Sequence, residues 1–184
     1  AGYPVPKAQL DGAIEYLRGM LPGSDDASSD PQSADWRNNS ALRAYACHVL
    51  ALAGKPEHGW VARLREQARH LDYDSRLHLI MALAASGLRR DAWTDLQAAG
   101  GVPSGMERSG GDALSSPARS AALLLNAWME FDPGHAGIPA LVSQVESHLS
   151  DGCWYTTQEN ALSLMALGKY MRHAGNEPRE CAGW

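Results

Sequence analysis

Cysteine is scarce in this chain. Cys47, Cys153 and Cys181 are the whole complement among 184 residues, and no two of them make a C-x-x-C pair. So few thiols exclude a disulfide scaffold and a cysteine-based zinc or redox centre. A Cys153–Cys181 bridge would require an oxidising compartment. No apolar run approaches the roughly 18–20 residues of a membrane span, so direct insertion of this segment into a bilayer is not expected. Basic residues are neither numerous nor clustered: 16 Lys and Arg stand against 21 Asp and Glu, a formal charge of −5. Nucleic acid and anionic lipid surfaces need concentrated Lys and Arg, so neither is an expected partner.

The common enzyme motifs are missing as well. Gly101-Val102-Pro103-Ser104-Gly105 has the wrong spacing for a nucleophile elbow. There is no P-loop, no G-x-G-x-x-G behind a strand and no H-E-x-x-H. Gly110-Gly111 has no strand before it, which argues against a phosphate cradle. Asp25-Asp26-Ala27-Ser28-Ser29-Asp30 lacks the i, i+4 spacing of helix-borne magnesium ligands and reads as a solvated acidic loop. None of the seven histidines pairs with another at i, i+4. Each is expected to be packed or solvent-facing rather than a ligand. No catalytic residue, metal site or cofactor is expected.

What is there is a globular composition, 45% apolar and 20% charged, with helical periodicity nearly throughout. A first helix is expected over Lys7–Met20, then a polar loop to about Asn39. A second helix opens after Ser40 and stops at Gly54 and Pro56. Cys47, inside it, reads as a small buried hydrophobe. Further helices are expected over 57–70, 75–85 and 88–98, and a Gly- and Ser-rich loop or small hairpin over 100–116. Ser116-Pro117 then starts the most apolar helix, through Phe131. A shorter one spans 138–149. The last begins where Thr156 and Glu159 form a capping box, and runs to about His173. Trp154 and Tyr155, just before it, read first as an aromatic anchor beside the cap.

Apolar helices (42–53, 75–86, 117–131, 158–170) alternate with amphipathic ones (57–70, 88–98, 138–150). A helix apolar on all sides must be covered on all sides. Hairpins with apolar members inside and amphipathic members outside achieve this in a helical solenoid or an α/α toroid. Uneven spacing favours the toroid. The expected fold is therefore all-α, a partial α/α toroid of alternating inner and outer helices, with residues 1–184 forming a single helical domain. Two other functions fit helices of this kind. One is an α/α-toroid enzyme acting on terpenoids or carbohydrates, which needs carboxylates or metal ligands in the ring mouth. The other is a TPR-like interaction module, which needs equal repeats in an open superhelix.

Four segments resemble the thioester domain of the alpha-2-macroglobulin family, bacterial members in particular. Trp154-Tyr155-Thr156-Thr157-Gln158-Glu159-Asn160-Ala161, continuing to Lys169-Tyr170, is similar to a W-x-[ST]-T-Q-[DE]-x-A…L-x-A-L-x-K-Y segment near that domain's end. Ala44–Lys55 is similar to its A-Y-x-L-x-V-L-A-x-A-G-K helix. Ser116–Leu125 is similar to S-x-x-R-D-A-A-x-L-L, with Ser120 where Asp is usual. Gly2-Tyr3-Pro4-Val5-Pro6, with the helix ending Tyr16-Leu17-Arg18, completes the order.

The resemblance implies a helical domain of a large secreted or periplasmic protein, anchored to a membrane, if at all, through another part. Such proteins trap proteases, which would be the targets of the full-length molecule. They dock this domain on β-sandwich domains of the same chain and acylate the attacker through a Cys–Gln thioester. No C-x-E-Q occurs here. That motif lies upstream of the Gly-Tyr-Pro-Val-Pro stretch in the family, so this chain, which opens without Met or a signal peptide, is expected to be a piece that begins after it. No thioester residue is carried over. Trp154, Tyr155, Thr156 and Gln158 are the expected docking or shielding surface, with the Trp36-Arg37-Asn38-Asn39 loop as a second candidate.

Overall fold

The structure, a computed structural model, describes residues 5–22, 34–106, 108 and 115–176. The Asp25–Asp30 acidic loop, Gly110-Gly111 and Cys181 lie outside the described residues. Among the described residues there are eight α-helices and no strand. The chain is therefore all-α. It divides into two compact units, Ala1–Gly100 and Gly101–Trp184.

The first unit holds α1 (Lys7–Met20), α2 (Ala34–Leu52), α3 (His58–Glu66), a 3-10 turn (Ala68–His70), α4 (Tyr73–Ala85) and α5 (Arg89–Ala99). Helix α4 is its centre and packs against α2, α3 and α5. Its residues from Tyr73 to Leu83 are buried all round except at Arg76, as its all-apolar pattern requires. The neighbours α3 and α5 bury one stripe each, Val61 with Leu64 and Ala92 with Leu96. Gly54 and Gly87 close α2 and α4 with φ of +71° and +88°. In each case the amide of the following residue returns to the carbonyl five residues back, Lys55 to Leu50 and Leu88 to Leu83, both at 2.9 Å. That ending requires a left-handed residue, which is why glycine marks both stops in the sequence.

The second unit holds α6 (Pro117–Phe131), α7 (Ile138–Ser147) and α8 (Thr157–Asn176). Here α6 is central, packed against α7 and α8, with every residue from Ser120 to Met129 buried. Helix α7 buries only Ile138, Leu141 and Val145. The inner and outer character expected of α3 to α7 is therefore present within each unit. The outlying helices α2 and α8 are different. Leu42, Tyr45 and Leu52 on α2 are exposed, as are Leu164, Met165 and Met171 on α8.

Two boundaries depart from expectation. Helix α2 starts at Ala34, not after Ser40, so Trp36-Arg37-Asn38-Asn39 is helical throughout rather than a loop. The cause is tertiary: Trp36 is 4% exposed and meets the His70 ring edge-on at 6.1 Å. Burial of one indole outweighs the weak helix preference of consecutive asparagines. Helix α4 starts at Tyr73 because Asp72 caps it, accepting from the Ser75 amide at 2.8 Å.

Candidate functional site

The segment before α8 opens with a tight reversal. Asp151 and Gly152 have φ of +51° and +80°, and Ser150 and Cys153 exchange both backbone hydrogen bonds, at 3.0 and 3.1 Å. Positive φ at both central positions is the twist of a type I′ turn, for which Asp-Gly is suited. The turn leaves Cys153 exposed and aims the chain back at α7. Trp154 is then buried, and its indole Nε1 donates to the Val145 carbonyl at 2.9 Å. Asn160 grips the same residue from the other side: its Nδ2 donates to the Trp154 and Thr156 carbonyls at 2.7 and 2.8 Å, and its Oδ1 accepts from the Trp154 amide.

Thr156 and Glu159 close the expected capping box. Thr156 Oγ1 accepts from the Glu159 amide at 3.1 Å, and Glu159 Oε2 accepts from the Thr156 amide at 3.0 Å. Glu159 does more than cap. It is 1% exposed, and its other oxygen, Oε1, accepts from Ser116 Oγ and from Arg108 Nη1, the latter at 2.6 Å. Ser116 is itself the N-cap of α6, accepting from the Arg119 amide. One buried carboxylate thus fastens the N-termini of α6 and α8 together and ties Arg108 to both. Burial by itself would push this carboxyl up. The bonds from Ser116 and Thr156 and the Arg108 charge outweigh it, so its pKa is held below the ordinary carboxylate value.

Arg108 also lies over the Tyr155 ring, its guanidinium carbon 4.4 Å from the centroid. Tyr155 is 82% exposed and Gln158 is exposed, while Thr156 is half-buried. Of the four residues singled out in sequence, Tyr155 and Gln158 present themselves at the surface, and Trp154 and Thr156 hold the chain that carries them. An aromatic ring pinned from beneath by a cation is a rigid amphipathic contact surface.

The first unit contains one arrangement that sequence spacing did not indicate. His48 and His78, from α2 and α4, approach Nδ1 to Nδ1 at 3.2 Å, and Tyr45 meets His78 edge-on at 5.2 Å. Among the described residues no group of three His, Cys, Asp or Glu side chains is arranged to hold a metal ion. Cys47, next to His48, is fully buried. Burial, with the Glu57 charge adding to it, pushes its thiol up to about 12. It is a protonated core residue.

A fold of fully buried helices sheathed by one-sided ones, with a surface built on helix caps, defines a helical scaffold class. The particular fold is similar to that of one region of solved bacterial alpha-2-macroglobulin structures. No protein-family model matches the chain, and no curated protein matches it in sequence. Solved structures do match. The structure of Salmonella alpha-2-macroglobulin reacted with methylamine is 25% identical with a TM-score of 0.71, over 91% of this chain and 11% of that one. Native Escherichia coli alpha-2-macroglobulin, from domain MG7 to the C-terminus, is 20% identical with a TM-score of 0.69, over 92% of this chain and 27% of that one. Escherichia coli alpha-2-macroglobulin activated by porcine elastase is 22% identical with a TM-score of 0.69, over 90% and 15%. The chain thus spans about a ninth to just over a quarter of the length of these proteins, and the resemblance carried by its sequence segments extends to the fold.

Proposed function

We propose that this chain is part of the helical thioester-type domain of a bacterial alpha-2-macroglobulin-like protease trap. It would work without turnover, as one element of an α/α toroid in a periplasmic or secreted protein. The observation that carries the reading is the fold shared with Salmonella alpha-2-macroglobulin over 91% of the chain. The exposed apolar residues of α2 and α8 support it, since isolated domains seldom leave such side chains uncovered on one helix face. In the larger protein those faces would meet further helices or the neighbouring β-sandwich domains.

On this reading, Tyr155 and Gln158 are the docking or shielding contact, set in place by Trp154, Thr156 and Glu159. Such a surface would exclude water from a strained acyl bond until the domains separate. Proteases such as trypsin and elastase are the expected targets. In the full-length protein, trypsin should be retained in a complex that resists its large inhibitors yet cleaves small substrates. Free trypsin with no retained fraction would reject the trap reading. Tyr155→Ala should leave the fold intact and change either methylamine reactivity or the captured fraction by about threefold, a loss near 0.7 kcal/mol of ring contact. If both stay at the parent values, the docking role of Tyr155 is wrong while the trap reading stands.

A further inference from the structure

The contact between His48 and His78 crosses the packed interface of α2 and α4. Their Nδ1 atoms are 3.2 Å apart and their ring centroids 5.4 Å. The difference, 5.4 − 3.2 = 2.2 Å, is nearly two ring radii, so the rings point at each other almost head-on. A metal ion set midway would lie about 1.6 Å from each nitrogen, half of 3.2 Å and well inside the roughly 2.0–2.1 Å of a zinc–imidazole bond. A hydrogen fits the gap, with one Nδ1 donating and the other accepting. A neutral pair meets that requirement, and so does a pair with one cationic ring. Two cationic rings do not. Imidazolium carries hydrogen on both nitrogens, so both Nδ1 atoms would be donors, with two like charges at 3.2 Å.

We propose that the His48–His78 pair is a pH-sensitive latch between α2 and α4, closed by a single shared hydrogen and opened when both rings become cationic. The surrounding charges balance one cation and not two. Asp74 stands four residues before His78 on α4 and is 3% exposed, so a carboxylate on that side compensates one charge on the pair. On α2, Tyr45 meets His78 edge-on, and Cys47 is a protonated thiol. Glu57, whose charge reaches Cys47 from the segment before α3, is held by Arg18 of α1 at 2.7 Å. Arg65 of α3 is turned to Asp91 and Asp95 of α5. His78 is 3% exposed and fixed in the buried helix, whereas His48 is half-buried on α2. His48 is therefore the ring that turns to water, and the turn of α2 that carries it loosens on α4. The closed pair excludes a proton that the unfolded chain takes up in the ordinary imidazole range. The latch thus adds stability at neutral pH and loses it as pH falls through that range. The inference rests on side chains of the first unit and does not depend on the trap reading.

The test uses the complete chain with its histidine nitrogens isotopically labelled. At about pH 7 a scalar coupling should connect the Nδ1 atoms of His48 and His78 across the N–H···N bond, and it should vanish on acidification to about pH 5. Over the same interval the α2 amides from Ala44 to Leu52 should exchange about tenfold faster by mass spectrometry, once the intrinsic effect of pH on exchange is removed. His48→Asn places an amide where Nδ1 stood, which donates to neutral His78 or accepts from its cation. It should keep α2 protected at neutral pH and abolish the acid step. If His48→Asn loses its helical circular dichroism, the parent decides: coupling and α2 protection must be lost at the same pH. No coupling at neutral pH, α2 protection that persists after the coupling is gone, or an acid step of equal size in a folded His48→Asn would overturn the proposal.

Discussion

Replacing Glu159 by alanine should destabilise the α6–α8 unit by about 3 kcal/mol, more than any other polar substitution in the described chain. The carboxylate is fully buried and accepts from three separate groups: the Thr156 amide, Ser116 Oγ and Arg108 Nη1. Removing it leaves the Ser116 hydroxyl and the Thr156 amide without their acceptor at two helix starts. Arg108 is 43% exposed at its side chain and recovers water, which keeps the loss toward the lower end for a broken buried pair. Glu159→Gln retains an oxygen for the cap but sets an amide donor against Ser116 or Thr156, so its cost should be about half as large. Hydrogen exchange read by mass spectrometry resolves α6 and α8 peptides from the rest. Their protected amides should exchange about a hundredfold faster in Glu159→Ala, with α4 peptides unchanged. Unaltered α8 protection would show that the carboxylate is not the fastening point.

The same residue has a pH signature. Its carboxyl is held below the ordinary value of 4.5, so it contributes stability that is fully present above that pH. The contribution is lost as pH falls through the depressed value and the carboxylate takes up a proton. Parent and Glu159→Gln should therefore differ most near neutrality and converge as the medium is acidified below 4.5.

Local chemistry was legible in the sequence, and long-range pairing was not. Thr156 and Glu159 sit three residues apart, and that spacing alone announces a capping box. Nothing local announces that Glu159 also holds Ser116 and Arg108, which are 43 and 51 residues away. Both helix starts were visible, and each brings a positive dipole end, but only packing brings the two to one carboxylate. Likewise the periodicity identified α4 and α6 as helices buried all round, but not that His48 of α2 and His78 of α4 meet across 30 residues of separation. The start of α2 was misread because Trp36-Arg37-Asn38-Asn39 is polar by composition, and the burial of Trp36 that overrides it is a tertiary event.

Trp154→Ala should be nearly as damaging as any substitution in the core, about 3–5 kcal/mol against the α6–α8 unit. The indole is 6% exposed and fills space against α7, where its Nε1 donates to Val145. Alanine removes the ring and leaves a cavity that the turn at Asp151-Gly152, already in left-handed geometry, is poorly placed to close. Phenylalanine keeps most of the ring volume and loses the indole bond. The Val145 carbonyl still accepts from the His148 amide at 3.4 Å, so Trp154→Phe should cost only about 1–2 kcal/mol. The contrast separates packing from hydrogen bonding: equal losses for Ala and Phe would mean that the indole bond dominates. It also bears on function, because a residue that supports the cap from within cannot report on docking from without. Loss of capture in Trp154→Ala would follow from unfolding alone, whereas the adjacent Tyr155, 82% exposed, can be removed with the scaffold standing. If Trp154→Ala instead leaves α8 protection at the parent level, the indole is no anchor, and its own contribution to the surface must be reconsidered.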